Sequence, residues 1–132
     1  MKSLILSLLI ALTTTQLYSQ VVKTQTDNDS GKSFNAAAYR LFPTQNMWNF
    51  IKLNTKTGQM WQVQFDVKGA DRVTSALSLE KLVSIEKEVI DRFTLYSTQN
   101  IYTFILLDQI DGRTWQVQWS IDINNRGIIP IE

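Results

Sequence analysis

Residues 44–67 read TQNMWNFIKLNTKTGQMWQVQFDV, and residues 98–121, which lie 54 positions further along, read TQNIYTFILLDQIDGRTWQVQWSI. In this ungapped alignment 11 of 24 positions are identical, including the whole Trp-Gln-Val-Gln element. Such a repeat indicates a duplicated supersecondary unit, because a single copy buries its apolar side poorly without a neighbour. The sequence therefore predicts two structural repeats, at residues 39–79 and 93–132.

Each repeat contains four segments with the character of β-strands. In the clearest segment Trp61 and Val63 alternate with Gln62 and Gln64, a period of two that is typical of a strand with one buried and one polar face. The predicted pairs of equivalent strands are 39–43 with 93–97, 47–54 with 101–108, 59–67 with 113–121, and weaker segments that begin at 72 and 126.

The predicted fold class is all-β, with two tandem antiparallel four-stranded repeats of about 54 residues each. Two ways of packing the repeats fit the sequence, a pseudo-two-fold sandwich and a propeller-blade-like pair. Two blades cannot close a propeller, so the second arrangement would require oligomerisation.

Turn and edge residues indicate how the strands are connected. Asn54 with Gly58, and Asp108 with Gly112, bound two loops of equal length, in which the Asx side chain caps the turn and the glycine takes a left-handed conformation. The second strand of each repeat is apolar on both faces and is predicted to be central in its sheet. Pro130 places the last strand at a sheet edge.

Three features leave alternatives open. Residues 77–90 fit either a helix with Ser78 as its N-cap or a short strand followed by a charged loop. The two Thr-Gln-Asn turns fit either a paired binding site or an Asn held at positive φ. Arg72 and Arg126 occupy equivalent positions, and each could pair with a carboxylate of the other repeat.

The N-terminal region has the features of an export signal. A short basic start is followed by an apolar run from Leu4 to Leu12, so residues 1–19 are predicted to be a signal peptide and residues 20–35 a polar flexible leader. Residues 36–132 then form a single β domain. The chain contains no cysteine to carry a lipoprotein anchor, and the predicted location is secreted or periplasmic, without membrane insertion after cleavage.

Composition argues against several classes of function. Without residues 1–19 the chain has 12 basic and 12 acidic residues, hence a net charge of zero, which disfavours nucleic acid as a partner. The absence of His and Cys removes the usual nucleophile arrangements and zinc ligands, and no cofactor or metal is predicted. The best local carboxylate pair for glycoside hydrolysis or a calcium loop is Asp108 with Asp111, for which a hairpin cap is the simpler interpretation.

Glutamine and aromatic residues are the candidates for a binding surface. Gln62, Gln64, Gln116 and Gln118 occupy equivalent strand positions, where they form either a donor and acceptor platform for a glycan or peptide strand, or a plain polar sheet face. Trp48 and Tyr102 are equivalent aromatic residues beside the Thr-Gln-Asn turns, and they complete the candidate ligand or partner face.

The motif Thr-Gln-Asn-x3-Phe-Ile-x-Leu-x4-Gly-x2-Trp-Gln-Val-Gln, present in both repeats, resembles a group of small uncharacterised secreted bacterial proteins. This resemblance implies export and an all-β repeat fold, and it implies no activity. Separately, Leu53-Asn54-x3-Gly58-x2-Trp61 and its copy at 107–115 resemble a hairpin of quinoprotein-type propeller blades, whose Trp docks onto a neighbouring blade. The chain is too short for such a propeller, so no quinone cofactor is expected.

The sequence thus favours an exported, non-enzymatic binding protein whose partner is a protein, a glycan or a second copy of the chain. One alternative is a structural component of an envelope or secreted assembly. The other is a hydrolase of extracellular polymers that works through carboxylates.

Overall fold

The computed structural model describes residues 36–132, which form one antiparallel sheet per repeat. The first sheet has the order β1-β2-β3-β4, with β1 at Tyr39–Pro43, β2 at Asn49–Asn54, β3 at Met60–Gln64 and β4 at Val73–Ser78. The second has the order β5-β6-β7-β8, with β5 at Phe93–Ser97, β6 at Thr103–Asp108, β7 at Thr114–Gln118 and β8 at Gly127–Ile131. The all-β class and the two four-stranded repeats are confirmed. The predicted signal peptide and leader lie outside the described residues.

The strands follow the predicted pattern, but the second and third strands of each sheet are shorter than predicted. β1 and β5 match the predicted 39–43 and 93–97, whereas β2 and β6 begin two residues later than expected. The delay arises because residues 47 and 48 still belong to the turn, in which the Asn49 amide donates to the Asn46 carbonyl over 3.0 Å. β2 and β6 are inner strands, and β8, with Pro130, lies at an edge, as predicted.

The two predicted hairpin turns are confirmed, and their side chains cap them in the same way. The Asn54 side chain accepts from the Lys56 amide over 3.0 Å, and Asp108 accepts from the amides of Ile110 and Asp111. Gly58 and Gly112 have φ values of 80° and 73°, the left-handed conformation that these turns require.

The segment between the repeats is a strand followed by a loop rather than a helix. β4 ends at Ser78, and the loop contains a 3-10 turn at Ile85–Lys87; a second 3-10 turn, Ile123–Asn125, precedes β8. The Leu82 amide donates to the Thr57 carbonyl over 2.9 Å, and Val83 is buried. Leu82 therefore lies against the first hairpin and Val83 joins the core, whereas Leu79 and Ile90 of the same segment are exposed.

A single hydrophobic core lies between the two sheets, and the sheets contribute opposite faces to it. The first sheet contributes the face that carries Ile51, Leu53 and Met60, whereas the second contributes the face that carries Trp115 and Val117. Ile51 and Gln62 are cross-strand partners, as are Leu106 and Trp115, so each set lies on one side of its sheet. In a pseudo-two-fold sandwich the two sheets would bury equivalent faces. The observed burial of opposite faces corresponds instead to the propeller-blade-like pair, the other of the two predicted alternatives.

Candidate functional site

The four glutamines do not form one platform, contrary to the expectation of a shared polar face. Gln62 is only 2% exposed and faces the core, where its Nε2 donates to Asn49 Oδ1 over 2.9 Å. Its Oε1 is buried without a hydrogen-bond partner in residues 36–132. Gln116 and Gln118 are exposed on the outer side of the second sheet, and Gln64 is half-buried. The physical reason is that the first sheet buries the face that carries its glutamines, whereas the second sheet buries the opposite face.

Trp48 and Tyr102 lie beside the Thr-Gln-Asn turns, as their sequence positions indicated, and both are partly exposed, at 37% and 50%. Trp48 packs against Phe65 with ring centroids 5.3 Å apart, and Tyr102 packs against Trp119 at 5.7 Å. Trp119 is 2% exposed, whereas Phe65 is 41% exposed. Of these two equivalent pairs, the second repeat thus buries Trp119, whereas the first leaves the corresponding Phe65 partly exposed.

The Thr-Gln-Asn turns are held by side chains rather than by an Asn at positive φ. The Asn46 side chain accepts from the Trp48 amide over 2.9 Å, and Asn100 accepts from the Tyr102 amide at the same distance. Among the described residues other than glycine, only Asp91 has a positive φ, at 64°. The expected conformational reason for Asn is therefore wrong, and the amide side chain acts as an Asx cap.

An aromatic face covers the outer side of the first sheet. Cross-strand pairing places Leu41, Lys52 and Trp61 in one row and Phe50 beside Val63 in the next. We define the aromatic face by these residues together with Tyr39, and Trp48 and Phe65 continue it at one end. Tyr39 and Leu41 are 55% and 58% exposed. Lys52, the one charged side chain in these rows, lies over the Trp61 ring with its Nζ 4.8 Å from the centroid.

The second sheet exposes the opposite kind of face, which we call the outer Gln face. Tyr96, Ile105, Gln116 and Ile129 form one cross-strand row of it. Its remaining members in neighbouring rows are Leu107 and Gln118. None of the six side chains carries a charge, and Tyr96 and Ile129 are 55% and 62% exposed. The sequence pattern did not predict that the two repeats bury opposite faces. One signal was present: Lys52 stands where the second repeat has Leu106, which indicates that the first repeat exposes its aromatic face to solvent.

Asp108 and Asp111 belong to an ion-pair cluster that supports the second hairpin. Asp108 is fully buried and accepts from Arg92 Nη2 over 2.9 Å and from Arg113 over 3.0 Å, while Arg92 also pairs with Asp111. Burial alone would raise the pKa of Asp108, but hydrogen bonds from Arg92, from the amides of Asp111 and Ile110 and from Arg113 outweigh it and lower the pKa to about 2. Arg92, which the sequence analysis did not single out, thus fixes both carboxylates in a structural role.

A shallow polar depression of about 250 Å³ lies at the Trp48 end of the first sheet. Its lining includes two carboxylates, Asp66 and Asp71. The Asp66 carboxylate accepts from the amides of Lys68 and Ala70. The Lys68 amide is the main cause that lowers the pKa of Asp66, and burial opposes it only in part. Asp66 is therefore tied into its own loop as a turn cap.

Arg126 links the two repeats, but through neutral acceptors rather than the expected carboxylate. Its Nη1 donates to Ser75 Oγ over 2.8 Å and to the Ala76 carbonyl over 3.1 Å, both on β4. The equivalent Arg72 donates its Nε to the Asp66 carbonyl over 3.3 Å. Within residues 36–132 neither arginine forms an ion pair, so the predicted pairing with carboxylates is wrong.

The chain matches no protein-family model, and no curated protein or solved structure is significantly similar to it. In residues 36–132 there is no cluster of three or more acidic, His or Cys side chains placed to hold a metal ion. No helix in the same range is long and apolar enough to span a membrane.

Proposed function

We propose that this chain is an exported, non-enzymatic interaction protein that binds a protein partner through its aromatic face. The observation that carries the proposal is the unequal burial of equivalent positions. Leu41 is 58% exposed in the first repeat, whereas its counterpart Leu95 is 5% exposed in the core of the second. The first repeat therefore presents to solvent a surface of the kind that the second repeat buries.

The composition of the aromatic face suits a protein partner. Burial of aromatic and aliphatic side chains contributes about 25 cal/mol for each Å² removed from water, and aromatic residues are enriched at the centres of protein interfaces. Lys52, between Leu41 and Trp61, holds its ammonium over the Trp61 ring, and this cation–π contact partly compensates the charge when the methylene groups are covered by a partner. A sugar, in contrast, needs several hydrogen-bonding groups beside the stacking ring, and the exposed Gln116 and Gln118 lie on the other sheet.

The placement of the carboxylates supports the non-enzymatic part of the proposal. A glycoside hydrolase needs two carboxyl groups that are free to donate and accept protons on either side of a sugar bond. Asp108 and Asp111 are engaged by Arg92, and Asp66 is engaged by backbone amides. These contacts favour a binding role over the hydrolase alternative.

The test is site-specific photo-crosslinking in the cells that make the protein. A benzoylphenylalanine in place of Leu41, on the aromatic face, is expected to form a discrete crosslinked product whose partner is identified by mass spectrometry. The matched control carries the same group in place of Ile85, which is 72% exposed in the loop between the repeats. Equal crosslinking from both positions, or none from Leu41, would show that the aromatic face is not a binding surface.

A further inference from the structure

The interface inside the chain joins two different faces, which makes it heterologous in the sense used for oligomers. The second sheet contributes the face of Leu95, Phe104 and Trp115, and the first sheet contributes the face of Ile51 and Gln62. Because the chain is a duplication, each of these faces has an equivalent elsewhere in the molecule. Both equivalents are turned outward, so the same interface could form again between two chains.

The aromatic face is the unused equivalent of the docked face of the second sheet. Leu41, Phe50, Trp61 and Val63 recur without change as Leu95, Phe104, Trp115 and Val117, all of which are buried. The flanking Phe65 corresponds to Trp119, which is also buried. Apart from Lys52, which stands where the buried face has Leu106, a surface with this composition and register therefore already has a complement inside the protein.

The outer Gln face is the unused equivalent of that complement. Four of its residues repeat the inner face of the first sheet without change, in the pairs Ile51 and Ile105, Leu53 and Leu107, Gln62 and Gln116, and Gln64 and Gln118. Tyr96 replaces Phe42, which preserves an aromatic ring at that position. The outer Gln face thus repeats four of the identities, and the spacing, of the surface on which the second sheet docks, whereas Met60 of that surface is replaced by Thr114.

The arginine link between the repeats has an unused equivalent as well. Arg126 Nε donates to the Ser120 carbonyl, and its Nη1 reaches the Ala76 carbonyl on the neighbouring sheet. Arg72 makes the first contact, to the Asp66 carbonyl, and its terminal nitrogens donate to no acceptor within residues 36–132. In a repeated interface Arg72 would reach the position equivalent to Ala76, which is the Pro130 carbonyl of another chain.

We propose that copies of this chain associate head to tail, with the aromatic face of one copy stacked on the outer Gln face of the next. This inference rests on the proposed function, since it names a second copy as the partner of the aromatic face. A heterologous contact forms a closed ring or an open filament according to the rotation between copies. Rings of two, three or four chains would hold four, six or eight sheets, the number of blades found in β-propellers.

Light scattering coupled to size exclusion, with two variants that each remove one face, tests the proposal. Leu41→Lys places a second positive charge on the aromatic face, directly opposite Lys52, and Ile129→Lys places a charge on the outer Gln face, at a position that is 62% exposed. Wild type is expected to have the mass of two or more chains, and each variant alone the mass of one. An equimolar mixture of the variants is expected to form a two-chain complex, because one intact face of each kind remains available.

Ile85→Lys serves as the control and should behave as wild type, and circular dichroism should give the same spectrum for all variants. A contact between identical faces would leave one of the two variants self-associated, and their mixture would form no new complex; either result would overturn the head-to-tail arrangement. A wild type that stays monomeric up to millimolar concentration would exclude a second copy as partner. In that case crosslinking from Leu41 to another protein would still support the proposed function. If Leu41 gave no crosslink either, both the head-to-tail association and the proposed function would be overturned.

Discussion

At the scale of single residues, Asp108 shows how a turn cap becomes a determinant of stability. The side chain accepts hydrogen bonds from Arg92, which is itself 3% exposed, and from the turn amides. The equivalent residue in the first repeat is Asn54, which caps the same turn without a charge. The cap therefore needs only an Asx oxygen, and the carboxylate is required by the buried arginine.

We expect acid to destabilise the protein partly through Asp108. Its pKa of about 2 in the folded state lies below the ordinary value of 3.8, so the ionised group stabilises the fold above about pH 4. This contribution, on the order of 2 kcal/mol, should be lost as the pH falls from about 4 to about 2. Urea unfolding over this range measures it.

Asp108→Asn should lower the free energy of unfolding at neutral pH by about 3 kcal/mol, because Arg92 loses its main buried partner. The stability of the variant should also fall less steeply with acid than that of wild type. Asp71→Asn, at an exposed position, is the control and should leave the free energy of unfolding at neutral pH unchanged. An equally steep acid dependence in Asp108→Asn would contradict the assignment.

The two turn glycines make a matched pair with unequal surroundings. A Cβ on Gly58 would lie 2.7 Å from Leu82 Cδ1 and 3.0 Å from Leu82 Cγ, whereas a Cβ on Gly112 would meet nothing within 4 Å. Alanine at either site costs about 1 kcal/mol for its left-handed backbone. Gly58→Ala should therefore destabilise by about 1 kcal/mol more than Gly112→Ala, the difference being due to overpacking.

Thermal or urea unfolding of both alanine variants measures this difference, and the Leu82→Ala background tests its cause. In that background the cost of Gly58→Ala should approach that of Gly112→Ala, because the clashing side chain is gone. If Gly58→Ala and Gly112→Ala lowered the free energy of unfolding equally in the wild-type background, the proposed contact of Leu82 with the first hairpin would be contradicted.

At the scale of elements, the sequence predicted which strands exist but not which face each sheet buries. Alternation separates the face of Trp61 from the face of Gln62, yet β2 is apolar on both sides, and Ile51 competes with Phe50 for the core. Hydrophobic pattern alone cannot decide that competition, because the partner sheet that covers one face comes from a distant part of the chain. Which face is buried depends on how the two repeats pack together. Because they bury opposite faces, Gln62 lies in the core whereas its equivalent Gln116 is exposed.

Substitutions of Arg126 and Arg72, which precede β8 and β4, should distinguish effects on folding from effects on self-association. Arg126→Gln is expected to destabilise the chain by about 1–2 kcal/mol, since it removes hydrogen bonds to Ser75 and Ala76 that join the two sheets. Arg72→Gln should change the unfolding free energy by less than about 0.5 kcal/mol, because among residues 36–132 its side chain donates to the Asp66 carbonyl of its own repeat and to no acceptor on the other sheet.

The two substitutions are compared by urea unfolding at low protein concentration and by light scattering at high concentration. Arg72→Gln should weaken self-association while leaving the monomer as stable as wild type. A loss of monomer stability equal to that of Arg126→Gln would place Arg72 in the fold instead of at a contact between chains.

At the scale of the whole molecule, the duplication leaves one used and one unused copy of a single interface. A chain of two sheets buries one pair of faces and exposes another pair of related composition, whose exposed members include Leu41 and Ile129. In the proposed assembly, stability and association therefore depend on the same kind of surface. A partner that binds only the folded chain raises its apparent stability by mass action.

The melting temperature of wild type should accordingly rise with protein concentration. Unfolding of an oligomer is coupled to dissociation, so higher concentration favours the folded, associated state. Leu41→Lys and Ile129→Lys, which each lose one face, should melt at a temperature that does not depend on concentration, while Ile85→Lys should follow wild type. Differential scanning calorimetry over a hundredfold range of concentration gives the measurement. If the wild-type transition stays fixed over that range, the exposed faces do not stabilise one another, and the shared interface is confined to the inside of each chain.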